Sequence, residues 1–341
     1  MKPLLTIGIA SYNYETFLKK GLDAIKNQSF RDYEVLISDD CSTDNSVAFI
    51  KDYMSANPEM NIRLIESEKN EGLIANKNKL IQNCRGEYLM LCDADDWMAD
   101  NCLEKIAQKI KEEAPDRVIV EVAHVDKDGK TIQIEHIPPH QSKWGWNMHH
   151  GCADRVSVLR ENNVSIQGYP DDVYFTIEFS KYCKKISIIH EVLYFWLMHL
   201  DSAGRKKDMD KTKAENQIIG CLQYIGGAIR FIEERNDSQM KTDREELRLV
   251  LLKIYYCRLF FTIQQYRYKE KIHCYHVLRK VMREIDSDYL NNPCLKKNKE
   301  MPLRKYAMQA IRLGTMVEKL HLMPLALLAQ HVVGKFKYFD Q

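Results

Sequence analysis

Gly86-Glu-Tyr-Leu-Met-Leu-Cys-Asp-Ala-Asp-Asp96 is an apolar run that ends at three carboxylates within four residues. The run Glu87–Cys92 has the length and composition of a buried β-strand. Carboxylates this close repel one another unless a cation lies between them. The stretch therefore predicts a buried strand whose carboxyl end carries a charged loop suited to binding a ligand.

Three similar apolar runs precede this strand, and residues at helical spacing follow each of them. The runs are Leu4–Ser11, Tyr33–Ile37 and Asn61–Ile65. Strands that alternate with helices of about 10–15 residues predict β-α-β units and a largely parallel sheet. Because these strands are apolar on both faces, we expect helices to cover both faces of the sheet. The N-terminal part is therefore predicted to have a Rossmann-like α/β fold.

The pattern changes after residue 116. Arg117–Asp126 and Thr131–Ile137 flank a Lys-Asp-Gly turn and predict a hairpin. Residues 138–169 show no regular pattern, whereas Asp172–Cys183 predicts a helix and Ile186–Trp196 a strand. After about residue 205 only helical spacing remains, near residues 208–236, 242–269, 270–286 and 300–320.

We therefore expect two domains, a mixed α/β domain over residues 1–204 and an all-helical domain over residues 205–341. Charge divides along the same line. Residues 1–202 carry 23 basic and 32 acidic side chains, whereas residues 203–341 carry 27 and 16. The whole chain has a net charge of only +2, which does not indicate a nucleic-acid-binding protein.

The ten cysteines form no Cys-x-x-Cys pair, and several lie in apolar runs. Buried, reduced thiols of this kind are typical of cytoplasmic proteins. The apolar run near the N-terminus is short and is followed at once by Asn13 and Glu15, which argues against a signal peptide. No apolar run approaches the ~18–20 residues that a membrane-spanning helix needs. We expect a cytoplasmic protein.

Polar residues follow each of the four predicted strands, and most of them are acidic. They are Ser11-Tyr-Asn13, Asp39-Asp40, Asn70-Glu-Gly72 and Asp93–Asp96. The carboxyl ends of parallel strands meet at one edge of the sheet, where α/β proteins bind ligands. Carboxylates at this edge suit Mg²⁺ or Mn²⁺, which in turn binds the phosphates of a nucleotide. The chain has neither Gly-x-Gly-x-x-Gly after the first strand nor a Walker loop, which disfavours dinucleotide enzymes and P-loop ATPases.

In order and spacing, these blocks resemble the GT-A-fold family 2 glycosyltransferases of the bacterial, inverting type. The resemblance is carried by Leu5–Asn13, Tyr33–Asp44, Asn70–Gly72 with Lys77-Asn78, and Gly86–Asp96. It is strong over about residues 4–105, weaker to about residue 203 and absent beyond. An Asp-x-Asp motif alone has little specificity, whereas four ordered blocks at four predicted strand ends are specific. The resemblance implies a GT-A domain followed by a helical C-terminal region.

The resemblance also assigns the nucleotide-binding residues of the donor site. Ala10 and Tyr12 match the positions that hold the uracil, and Asp40 matches the acid that accepts a hydrogen bond from the base. Lys77 matches a basic residue near the nucleotide, although the family often has Arg there. Two alternatives stay open, since Asp39-Asp40 is also typical of a turn or cap and Lys77 of a solvated helix face.

The metal site follows from the same resemblance. Asp95 matches the direct ligand of Mn²⁺ or Mg²⁺, and Asp93 a partner of the ribose or of metal-bound water. His199, in a segment similar to Tyr-x-x-His-x-x-Ser, matches a further metal ligand, although a lone histidine is more often structural. His149 and His150 are adjacent and not at metal-ligand spacing, so no zinc site is predicted.

The acceptor side is predicted around Asn162–Phe175, which resembles the acceptor block of the family. Asp172 matches the general base that takes the proton of the acceptor hydroxyl. Asp171 stands where the family usually has Glu, and either acid could instead serve as a helix N-cap. Trp144 and Trp146 are candidates for stacking on the acceptor sugar, with a core position as the alternative.

The C-terminal part has no motif, but a basic segment precedes an apolar one. Lys296, Lys297, Lys299, Arg304, Lys305 and Arg312 come before the leucine-rich stretch 320–336. This pattern suits docking on the anionic inner face of the plasma membrane. An amphipathic helix packed on the domain, or on a second subunit in a homo-oligomer, is the alternative.

Together these features predict a metal-dependent inverting glycosyltransferase. It would move a hexose or N-acetylhexosamine from a nucleotide sugar, a UDP-sugar first of all, to a hydroxyl of a glycan or lipid-linked glycan. Two other functions stay open: a non-catalytic module that binds nucleotide or glycan, and a nucleotidyltransferase that makes sugar nucleotides. A nucleotidyltransferase would need a basic, Gly-rich loop after the first strand to bind phosphate. Tyr12-Asn-Tyr-Glu15 is not such a loop.

Overall fold

The structure, a computed structural model, describes residues 2–138, 141–145, 148–199, 211–235, 237–262, 266–295 and 305–333. The chain divides into two units. The sheet unit comprises Met1–Ile137, Met148–Gln167 and Glu178–Arg205. The helical unit comprises Pro138–Asn147, Gly168–Ile177 and Lys206–Gln341.

The first half of the sheet unit is a parallel sheet of the predicted kind. Its strands lie in the order β3-β2-β1-β4, and helices connect consecutive strands. The elements are β1 (Leu5–Ser11), α1 (Glu15–Lys26), β2 (Tyr33–Asp39), α2 (Ser46–Ala56), β3 (Ile62–Glu66), α3 (Leu73–Asn83) and β4 (Tyr88–Asp93). β1 and β2 are buried along their whole length, as strands covered on both faces are. The polar residues at the ends of β1, β2 and β4 therefore share one edge.

Beyond β4 the sheet is mixed. The elements are β5 (Trp97–Met98), α4 (Cys102–Glu113), β6 (Arg117–Val125), β7 (Thr131–Glu135), β8 (Cys152–Arg155), α5 (Val156–Glu161), α6 (Asp171–Tyr182) and β9 (Ile186–Leu197). The predicted hairpin is confirmed as β6 and β7, which pair antiparallel. Residues 138–169, for which no regular structure was predicted, contain the strand β8. This strand lies between β4 and β6 and pairs antiparallel with both.

Two buried features hold the sheet unit together. Gly21 of α1 lies against the backbone oxygen of Asp96, and a Cβ at this glycine would come within 2.8 Å of that oxygen. Glycine thus allows α1 to approach the loop after β4. Deeper in the sheet, Arg117 of β6 donates from Nε to Oδ1 of Asp154 on β8 at 2.5 Å and from a terminal nitrogen to Oδ2 at 3.1 Å.

The helical unit is built on long helices, as predicted. They are α7 (Lys211–Arg235), α8 (Met240–Cys257), α9 (Tyr268–Ile285), α10 (Lys305–Lys319) and α11 (Met323–Val333). The single helix expected over 242–269 is wrong in its second half, because α8 ends at Cys257 and passes into a π-helical turn, Arg258–Thr262. Among the described residues, none of the helices has the length and apolar character needed to span a bilayer. The ten cysteines, all within the described residues, form no disulfide, and eight of them are buried, as their apolar surroundings predicted.

Candidate functional site

The acidic edge of the sheet unit is held in place by hydrogen bonds among its own loops. Asp39 Oδ2 accepts the hydroxyls of Ser11 and Ser42 at 3.0 and 2.6 Å. Asn13 adopts a left-handed backbone with φ 59°, and its Oδ1 accepts the backbone N–H of Thr43 at 2.8 Å. The loops after β1 and β2 are therefore fixed to each other, and the first acid of the Asp39-Asp40 pair is the turn residue.

Asp40 has a different set of partners. The backbone N–H groups of Glu71 and Gly72 donate to its two carboxylate oxygens at 2.9 and 2.7 Å. Gly72 precedes α3 with φ 90°, a conformation that favours glycine. A carboxylate has about four lone-pair sites, so two bonds to the backbone leave acceptor sites for a further donor.

The end of β1 presents Ala10 and Tyr12. Ala10 is buried in the strand, whereas Tyr12 is 40% exposed and is one of the few large apolar side chains of the sheet unit that reach solvent. An exposed aromatic ring at the end of a strand is suited to packing against a planar base.

Lys77 of α3 and Asp93 at the end of β4 form an ion pair inside the unit. Lys77 Nζ lies 2.9 Å from Asp93 Oδ1, and the lysine side chain is only 3% exposed. The alternative of a solvated helix face is therefore wrong for Lys77. Burial alone would raise the pKa of Asp93, but the Lys77 ammonium and the His150 ring outweigh it and hold that pKa well below its usual range.

Two histidines that the sequence argument set aside also meet Asp93. His150 Nε2 lies 2.9 Å from Asp93 Oδ2, and His149 Nε2 lies 3.4 Å from Oδ1 and 3.0 Å from Lys77 Nζ. An Nε2 without a proton accepts from the Lys77 ammonium, whereas an Nε2 with a proton donates to Asp93. The two rings stack on each other with centroids 4.2 Å apart.

The register of β8 explains this placement. Tyr88 pairs with Arg155 and Leu89 with Asp154, and the two strands are antiparallel. Because the two strands are antiparallel, residues nearer the carboxyl end of β4 lie opposite residues earlier in the chain than β8. If the same pairing continues, the residues just before β8 lie opposite the end of β4. His149 and His150 were missed because β8 itself was missed.

Asp95 pairs with His199, which follows β9. Asp95 Oδ2 and His199 Nε2 are 2.7 Å apart, and Phe17 of α1 stacks on the imidazole with ring centroids at 4.9 Å. Burial and the neighbouring Asp93 raise the pKa of Asp95. Since two negative charges lie close together in a poorly solvated place, a cation would be stabilised there.

Asp96 has a structural role. Tyr194 donates its hydroxyl to Asp96 Oδ2 at 2.8 Å, and the backbone N–H of Leu197 donates to Oδ1 at 2.9 Å. Burial and the charge of Asp95 raise the pKa of Asp96 well above its usual range. The third acid of the loop therefore ties β4 to β9 and is occupied by these partners.

The residues at this edge fit a divalent cation. Carboxylate oxygens of Asp93, Asp95 and Asp96 lie within 4.8 Å of one another. Asp93 is engaged by Lys77 and His150, Asp95 by His199, and Asp96 by β9. Carboxylate oxygen with imidazole nitrogen is a donor set that Mn²⁺ accepts.

The predicted acceptor residues lie in the helical unit or outside the described residues. Asp171 and Asp172 form the first turn of α6, where Asp171 is buried and Asp172 is half-buried. Trp144 is 1% exposed and its indole N–H donates to Asp243 Oδ1 at 3.1 Å, so it is a core residue and does not offer its ring for stacking. Trp146 lies outside the described residues.

Comparison with protein families gives a match to the family described as Glycosyl transferase family 2, over residues 6–163. The chain is 24% identical over 266 residues to the putative glycosyltransferase EpsH of Bacillus subtilis, covering 72% of this chain and 73% of EpsH. It is 24% identical over 232 residues to chondroitin synthase of Escherichia coli, covering 66% of this chain but only 33% of that protein.

Solved structures share the fold. The structure of S. aureus TarS 1–349 in complex with UDP-GlcNAc matches with a TM-score of 0.70 at 16% identity, over 93% of this chain and 92% of that 1–349 chain. The mannosyltransferase PcManGT from Pyrobaculum calidifontis, in complex with GDP-Man and Mn²⁺, matches with a TM-score of 0.52 at 15% identity, over 98% of this chain and 87% of PcManGT. The GT-A fold followed by a helical region is confirmed.

Proposed function

We propose that this chain, whose residues 6–163 match the Glycosyl transferase family 2, transfers a sugar from a UDP-sugar to a hydroxyl of a glycan or lipid-linked glycan, with inversion at the anomeric carbon. The observation that carries the proposal is the Asp95–His199 contact at 2.7 Å, beside Asp93 and Lys77. These side chains place two carboxylates, an imidazole and a buried ammonium at one end of the sheet, where a metal-bound diphosphate needs them.

The nucleotide is proposed to bind across the ends of β1 and β2. The exposed ring of Tyr12 packs on the uracil, beside the backbone of Ala10. Asp40, fixed by two backbone N–H groups, accepts a hydrogen bond from the base. Lys77 supplies positive charge near the diphosphate, and Asp93 accepts a hydrogen bond from the ribose or from water.

A Mn²⁺ or Mg²⁺ held by Asp95 and His199 would neutralise the charge that develops on the leaving diphosphate. Asp172 acts as the general base and takes the proton of the acceptor hydroxyl. The acceptor oxygen forms its bond to C1 of the sugar while the bond from C1 to the diphosphate breaks on the opposite face. The products are the extended acceptor with inverted configuration and UDP.

We propose that the two predicted domains have different roles. Residues 1–204 provide the donor site and the catalytic base, although Asp172 belongs to the segment Gly168–Ile177 of the helical unit. Residues 205–341 serve contacts with the acceptor, a membrane surface or a second copy. Asp171, one residue before the base, is proposed to contribute to acceptor binding.

Release of UDP from UDP-GlcNAc tests the proposal, because that nucleotide sugar is the ligand in the TarS structure. UDP-glucose, UDP-galactose and UDP-GalNAc complete the panel, with Mn²⁺ and with EDTA. We expect slow UDP release, with water as acceptor, that needs Mn²⁺ and is lost in Asp95→Asn. Asp100→Asn, an exposed acid just beyond β5, is the matched control and keeps the activity.

The same assay separates the other two functions. A nucleotidyltransferase would release no UDP from a UDP-sugar, but with added pyrophosphate it would form UTP and the sugar 1-phosphate. A binding module would take up UDP without any turnover. Absence of Mn²⁺-dependent UDP binding by calorimetry would contradict the proposal at its first step.

A further inference from the structure

One helical hairpin of the helical unit carries most of the exposed apolar surface. Ten large apolar side chains are exposed among the described residues, and six of them lie on α10, α11 and the turn between them. We name these six the apolar ridge; they are between 38% and 61% exposed and comprise Leu313, Met316, Leu320, Leu322, Leu325 and Leu328. A concentration of this kind marks a surface that binds something.

The ridge is not needed to hold the hairpin on its unit. On α10 the buried side chains are Met308, Ile311, Thr315 and Glu318, at the three- and four-residue spacing of one helix face. Gly314 lies against the ring of Tyr256, so α10 packs closely on α8. On α11, Met323 and Leu327 are buried in the same way. The ridge residues of both helices face away from these contacts.

The turn brings the two halves of the ridge together. α10 ends at Lys319 and α11 begins at Met323. His321 between them adopts a left-handed backbone with φ 58°, which reverses the chain within three residues. Leu320 and Leu322 flank this histidine, so the tip of the hairpin is apolar.

The charge of this part of the chain favours one kind of partner. Residues 296–341 contain nine Lys and Arg against three Asp and Glu, a net charge of +6. One of the acids, Glu318, is buried and accepts hydroxyl hydrogen bonds from Tyr256 and Tyr289. A second copy of the chain carries the same positive charge and would repel the first. An anionic lipid surface would attract this charge.

We propose that the apolar ridge docks on an anionic lipid bilayer, with the leucines at the boundary of the acyl chains and the exposed Lys319 at the headgroups. This goes beyond the transfer reaction, whose chemistry needs no membrane. It assigns a partner to the hairpin α10–α11 and leaves the donor site free of any role in docking.

Co-flotation of the full chain with vesicles tests the proposal. The probes are phosphatidylcholine vesicles with about 30% phosphatidylglycerol, and vesicles of phosphatidylcholine alone. We expect the chain to float with the anionic vesicles and less with the neutral ones, and raised salt to weaken the binding. The variant Leu320→Ser/Leu322→Ser/Leu325→Ser changes only exposed residues, and its partition should fall by about tenfold or more.

Ile132→Ser/Ile134→Ser is the matched control, because these residues of β7 are also exposed apolar side chains, 49% and 38%. Its partition should equal that of the unchanged chain. The proposal is overturned if the full chain does not float, if the triple variant floats equally well, or if the control loses as much. It is also overturned if sedimentation shows a dimer that the triple variant abolishes. UDP release without vesicles should be equal in all three proteins, so a failure of the proposed reaction is visible separately.

Discussion

Asp95 and His199 are in direct contact, with Oδ2 of the carboxylate 2.7 Å from Nε2 of the imidazole, although they are 104 positions apart in the chain. Phe17 stacks on the imidazole, and both paired side chains are largely buried. The histidine therefore cannot turn away without losing its aromatic contact. The two groups are therefore held together by their own packing.

The first prediction is that Asp95→Asn and His199→Ala act through one ion. Each change should weaken UDP binding in the presence of Mn²⁺ by about tenfold to a hundredfold. The double variant should lose little more, because either change already removes the ion that both residues hold. Calorimetry with UDP, in Mn²⁺ and in EDTA, measures all four proteins.

His190→Ala is the control for this cycle, since His190 lies on β9 as well but its side chain is 53% exposed. Its UDP affinity should match that of the unchanged chain. Additive losses in the double variant, or equal losses in EDTA, would show that the pair does not share an ion.

The second prediction concerns Lys77, which is buried against Asp93. Lys77→Met should weaken UDP binding by about tenfold and lower the free energy of unfolding by about 1–3 kcal/mol, because Asp93 loses its closest cation. Lys77→Arg should recover part of the binding, since it restores the charge. Calorimetry and urea unfolding check both effects. Lys79→Met, on the same helix but pairing with Glu71 at the surface, should change neither by much.

The parallel strands were predictable because each is decided by its own residues. An apolar run followed by acids, as in Tyr88–Asp93, contains both the strand and its functional end within a few positions. The strand β8 has only four residues, and its neighbours are β4, about sixty positions earlier, and β6. Nothing local distinguishes Cys152–Arg155 from a loop, so neither the strand nor the approach of His150 to Asp93 was visible.

Local sequence patterns also did not decide which side chains are buried. Lys77 and Trp144 both allowed a functional and a structural interpretation. The structure buries Lys77 beside a carboxylate and Trp144 against Asp243. These outcomes depend on elements far away in the chain, which the spacing within α3 or around Trp144 does not report.

The third prediction separates Asp172 from its neighbour. Asp172→Asn should lower transfer by about 10²–10⁴-fold, because an amide cannot take the acceptor proton. UDP binding should stay unchanged, since the base does not touch the nucleotide. Asp171→Asn is the comparison and should lose far less. The rate of transfer with the best UDP-sugar of the panel measures both variants, and a rate near that of the unchanged chain would remove Asp172 from its role.

The fourth prediction concerns stability and the pair Arg117–Asp154, whose side chains are 1% and 3% exposed. Asp154→Ala should lower the free energy of unfolding of the sheet unit by about 3–5 kcal/mol, because a buried guanidinium then lacks its counter-charge. Glu66→Ala removes an acid of comparable kind from the exposed pair with Lys51. It should cost about 1 kcal/mol or less. Urea unfolding measures both.

The double variant Arg117→Met/Asp154→Leu tests how much the ion pair itself contributes to the free energy of unfolding. Taking two charges out of water costs several kcal/mol per ion, and their attraction offsets this only while both are present. Apolar replacements of similar volume avoid that cost, and the Met side chain can still pack on Phe179, which now lies under the guanidinium. We therefore expect the double variant to recover most of the stability that Asp154→Ala loses. If it is as unstable as the single variant, the hydrogen bonds between β6 and β8, and not the unpaired charge, account for the loss.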